Sequence, residues 1–175
     1  MGDRTYAFDI NNVISDGAAA YTASGYAQAL GSDGIVDTGG NQNVVVNLPS
    51  IANVSTITPQ QAREDAAMVI DVTAIKTSSS NEVYKLLVLG SNDPSFGAGK
   101  VQCLGSIQLG FAGSNDVPNG ITTPAPAAIG GSRYEVLFAT EQNNVKYEYV
   151  KMYNVLAGTT PSITYKAFIA VLPIA

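Results

Sequence analysis

Glu135 and Glu148 are the carboxylates whose setting invites a chemical reading. Each lies in a run where apolar or aromatic residues alternate with charged ones, 133–138 and 146–153. Two carboxyl groups roughly 5–10 Å apart on neighbouring strands are what glycoside hydrolysis requires. The same runs carry Arg133, Lys146 and Lys151. Cross-strand ion pairing on a solvated face therefore accounts for both acids without catalysis, and a carboxylate-dependent glycosidase is the weakest of the readings considered.

Asn92 and Asp93, and again Asn115 and Asp116, offer oxygen ligands of the kind calcium takes, each pair inside a Gly-Ser-Asn-Asp segment followed closely by proline. The spacing does not place ligands at alternate positions. Asn and Asp before proline are ordinary turn formers that bond their own backbone, so the turn reading is preferred and no metal is expected. Gly97-Ala98-Gly99-Lys100 lacks the spacing of a phosphate loop. Cys103 lies in the strand-like run 101–104, where a small buried thiol is the expectation, and a single cysteine forms no internal disulfide.

The chain has no histidine, which removes Ser-His and Cys-His nucleophiles, histidine general bases and histidine metal sites together. Any catalysis would fall to carboxylates, lysine or tyrosine, and charged residues make up only 13% of the chain. The expectation is a protein that is not an enzyme, with no catalytic residues and no cofactor.

At 175 residues the chain is expected to form a single domain, 1–175, with enough buried surface for a real core. A net charge of −5 with scattered basic residues argues against a nucleic-acid partner. No apolar run reaches the roughly 20 residues of a membrane helix, and the N-terminus lacks a basic segment followed by an apolar one. No membrane partner is expected, and synthesis in a cytoplasm without export is.

The elements that would hold these residues read as strands. Alternation at period two marks 67–76 and 82–90 as a hairpin, 101–109 as a further strand, and 133–138, 146–153 and 162–172 as an antiparallel meander. In 82–90 both faces are apolar apart from Lys85, as in a central strand. Shorter runs occur at 6–10 and 44–48, and residues 1–66 include a possible extended N-terminal arm or long loops, rich in small residues from 15 to 40. Residues 59–66 form the one candidate helix, with Thr58 as N-cap and Pro59 at the first helical position. The fold class expected is all-β: a jelly-roll-like, two-sheet antiparallel β-sandwich with long loops.

Tyrosines crowd the last third of the chain. Tyr147, Tyr149 and Tyr153 share a parity opposite to Val150 and Met152, so they face outward if those two face the core. Aromatic rings with polar tips suit a protein interface, and sugar platforms usually recruit tryptophan, which is absent. Tyr6, Phe8 and Ile10 near one end and Leu172 and Ile174 near the other extend the candidate interface, because apolar ends are best covered in an assembly. A homo-oligomer, dimer or trimer, is expected.

The order Met68-Val69-Ile70-Asp71-Val72-Thr73-Ala74-Ile75, then Glu82 to Asp93 with Phe96, then Arg133-Tyr134-Glu135-Val136-Leu137-Phe138 with Glu141-Gln142, resembles the capsid cement, or decoration, proteins of tailed bacteriophages. The resemblance continues through 147–153, Ala157-Gly158-Thr159 and 163–167, covering about 67–172. It implies a jelly roll seated as a homo-oligomer on the exterior of the virion capsid. Its role there would be structural, clamping neighbouring subunits of the major capsid protein, with no active site. The segment from Leu89 to Asp93 with Phe96, and 149–152, is also similar to galactose-binding-like jelly-roll modules, which implies a carbohydrate-binding module as the alternative.

Overall fold

The computed structural model describes residues 12–28, 36–37, 63, 65–77, 81–110 and 132–171. These residues contain eleven strands and no α-helix: β1 (Val13–Asp16), β2 (Gly25–Tyr26), β3 (Val36–Asp37), β4 (Asp65–Ile75), β5 (Val83–Ser91), β6 (Val101–Gly110), β7 (Ser132–Ala139), β8 (Glu141–Gln142), β9 (Val145–Lys146), β10 (Tyr149–Ala157) and β11 (Ile163–Val171). One sheet has the order β1-β11-β4-β7, and the other has β2-β10-β5-β6 with β3 also on β10. Every pairing is antiparallel.

The first strand pairs with the last, β2 and β3 with β10, β4 with β7, and β5 with β6. A ribbon of such pairs wound over two sheets is the jelly-roll topology. The all-β sandwich expected from the alternation is therefore found.

Alternation also decides the core. Met68, Ile70, Val72, Val136 and Ile169 point inward from the four-stranded sheet, and Tyr84, Leu86, Val88, Val150 and Met152 meet them from the other. Each such burial stabilises by roughly 1.5–3 kcal/mol. On the reverse face of β4 and β11, Val69, Phe168 and Ala170 form a second buried cluster, which is why β4 reads as apolar on both sides.

The sheets come together along β6 and β7. A Cβ on Gly105 of β6 would lie 2.9 Å from the Val136 side chain and 3.4 Å from the Leu137 carbonyl, so only glycine permits that approach.

Four expectations are corrected. The segments 67–76 and 82–90 are not a hairpin, because β4 and β5 belong to different sheets. The three C-terminal runs are not a meander: β7 and β11 lie in the four-stranded sheet, and β10 in the other. Period two fixes which side chains share a face, not which strand lies alongside. The helix does not run to residue 66, since Asp65 and Ala66 open β4; residues 59–62 and 64 lie outside the described residues.

The fourth concerns Cys103, which is exposed, not buried. It sits on an edge strand opposite Leu89, beside a register shift in the β5–β6 pairing. Within the stretch read as long loops, β1, β2 and β3 join the two sheets. The runs 6–10 and 44–48 lie outside the described residues.

Candidate functional site

The outer face of the five-stranded sheet gathers two of the aromatic candidates, Tyr149 and Tyr153. On β10, Val150 and Met152 are fully buried, so Tyr149, Lys151 and Tyr153 leave by the opposite face, each half-buried. Strand β2 lays Tyr26 directly opposite Tyr153, and their rings meet edge to face at 5.0 Å and 84°. Phe96 closes the cluster from the loop after β5, 6.0 Å from Tyr26 at 64°.

Phe96 holds a left-handed backbone, φ 51°, yet is only 6% exposed. Such a conformation is costly for a bulky residue and persists where its surroundings fix it. Here Asp93 does the fixing. Its carboxylate accepts from the Ser95 hydroxyl (2.6 Å) and amide (2.9 Å) and from Lys100 (2.9 Å), while its carbonyl accepts from the Phe96 amide. The Ser95 hydroxyl, followed by Lys100, holds the Asp93 carboxyl well below the usual carboxylate range.

Lys151 completes the arrangement, its ammonium 4.8 Å from the Tyr26 ring centre and 5.9 Å from that of Phe96. A cation over an aromatic face is attracted by the ring quadrupole and fixed in place by it.

Tyr147 lies elsewhere. Its ring root occupies the place a Gly90 Cβ would take, 2.9 Å away, on the face that Val150 shares with Gly90. The parity across 146–153 is broken because β9 ends at Lys146 and β10 begins at Tyr149. Between β8 and β9 a tight turn places Asn143 and Asn144 at φ 54° and 61°, which asparagine tolerates. Tyr6, Phe8, Ile10, Leu172 and Ile174 lie outside the described residues.

Glu135 and Glu148 are not on adjacent strands. Glu135 is on the exposed face of β7, and Glu148 precedes β10 in the other sheet, where its amide donates to Asn92 Oδ1 at 2.9 Å. Asn92 also donates to the Lys146 carbonyl at 2.8 Å, pinning the turn into β10. Arg133 forms a two-pronged cross-strand pair with Asp71 of β4, at 2.6 and 2.8 Å. Asp93 thus bonds within its own turn, whereas Asn92 ties that turn to residues 146–148; Asn115 and Asp116 lie outside the described residues. Among the described residues no group of three or more acids and cysteines is placed to hold a metal ion.

Tyr26, Phe96 and Lys151 acting together were not legible in the chain. Tyr26 stands in a small-residue stretch without periodicity, and only the aromatic after Asn92-Asp93-Pro94 gave a signal.

No family model, curated protein or solved structure matches this chain.

Proposed function

We propose that the protein is a structural component of a phage virion, seated as a homo-oligomer on the outside of the head and stabilising contacts between major capsid subunits. The observation that carries this reading is where the cement-like segments fall. The runs within 67–172 that resemble decoration proteins form β4, β5, β7, β10 and β11, five of the six long strands of one jelly roll.

The aromatic cluster supports a protein partner over a sugar. Its rings meet edge to face, and the Tyr26 face is covered by Lys151, so it offers no flat stacking platform. Tyr149 and Tyr153 are the rings placed to reach a partner.

Co-sedimentation with phage heads assembled from a major capsid protein tests the reading. Saturable binding that raises the dissociation temperature of the heads is expected, and Tyr149→Ala should weaken it. No binding to heads, with strong signals on a glycan array, would replace the reading with the carbohydrate-binding module.

A further inference from the structure

We propose that the sandwich holds a buried hydration site beside Gly25, where one water molecule accepts the hydrogen bond that Asn154 still has to give. Asn154 is wholly buried on the inner face of β10. Its Oδ1 accepts from the Tyr165 hydroxyl at 2.6 Å, and its Nδ2, also sealed from solvent, has no protein partner. A buried amide donor left unpaired is strongly unfavourable, so a partner is required.

Gly25 lies directly opposite Asn154 in the β2–β10 register. Tyr26 packs outward on Tyr153 and Ala27 is fully buried, so alternation turns the Gly25 position inward. A Cβ built there meets nothing within 4 Å. An orphan donor and an open inward position thus stand side by side at the same rung of the sheet.

Gly25 is itself half-buried at the strand edge, and a water held beside it accepts from Nδ2 and turns its own protons toward that edge.

The site is independent of head binding, because every readout uses the chain alone. In the full-length protein, the Asn154 side-chain amide should give a nuclear Overhauser cross-peak to a long-lived water. Gly25→Ser, whose hydroxyl can replace the water, should melt about 3 °C above Gly25→Ala, whose methyl cannot. That difference should vanish in the Asn154→Leu/Tyr165→Phe background, where no donor needs a partner. Absence of the water cross-peak overturns the proposal. So does a Gly25→Ala protein that melts at or above Gly25→Ser, or a Ser–Ala difference that survives in the apolar background.

Discussion

The hydroxyl of Tyr165 on β11 donates to Oδ1 of Asn154 on β10 at 2.6 Å, tying the two sheets together through the middle of an otherwise apolar core. A polar pair there has value only when both members are present, because either one alone is a buried group without a partner.

Tyr165→Phe should therefore destabilise the protein by about 1–3 kcal/mol, and Asn154→Leu by a similar amount. The double variant Asn154→Leu/Tyr165→Phe should lose less than the sum of the two. A double-mutant cycle by urea denaturation measures this coupling; strictly additive losses would mean that the contact contributes nothing as a pair.

Burial raises the hydroxyl pKa of Tyr165, and also that of Tyr84, above the usual tyrosine value. The unfolded chain releases these protons near pH 10, while the folded chain keeps them. Stability from both groups is then fully present below about pH 10 and falls as pH rises beyond it. Denaturation between pH 8 and 11 should show this loss, with a shallower slope in Tyr165→Phe. An identical slope in the variant would assign the alkaline loss to other groups.

The outer-face cluster gives a graded series. Phe96→Ala removes a ring that is 6% exposed and should cost roughly 3 kcal/mol. Lys151→Met keeps the apolar stem and removes only the ammonium over Tyr26 and Phe96, so about 0.5–1 kcal/mol is expected. If Lys151→Met costs as much as Phe96→Ala in equilibrium unfolding, the lysine holds the loop by more than its contact with the rings.

Much of the sandwich was legible because burial on one face forces alternation. The residues of β4, β5, β6, β7 and β11 announce themselves that way, and β5 announces a central position by being apolar on both faces. Neighbour identity was not legible, since the β4–β5 connection looks the same whether it turns back within a sheet or crosses to the other. β2 and β3 are two residues each and exist only because β10 supplies partners. Asn154 did carry a signal: it continues the inward parity of Val150 and Met152, and a polar side chain at such a position demands a partner. The left-handed Phe96 carried none, because nothing in a side chain announces a backbone that only its loop enforces.

Gly110 and Gly158 give the sharpest contrast with a third glycine. Both have positive φ, 113° and 112°, and both back onto the start of β5: a Cβ would lie 2.3 Å from the Glu82 carbonyl oxygen at Gly110 and 2.7 Å from the Glu82 Cα at Gly158. Gly99 has φ 79° with nothing within 4 Å. Gly99→Ala should cost only the left-handed backbone, about 1 kcal/mol. Gly110→Ala and Gly158→Ala add a clash with backbone that cannot swing aside, so a loss of about 3 kcal/mol or more is expected. At this chain length that separates the melting temperatures by several degrees, readable by calorimetry. Equal melting of all three variants would show that the Asn81–Glu82 backbone yields, and that this corner of the jelly roll is not closed by its glycines.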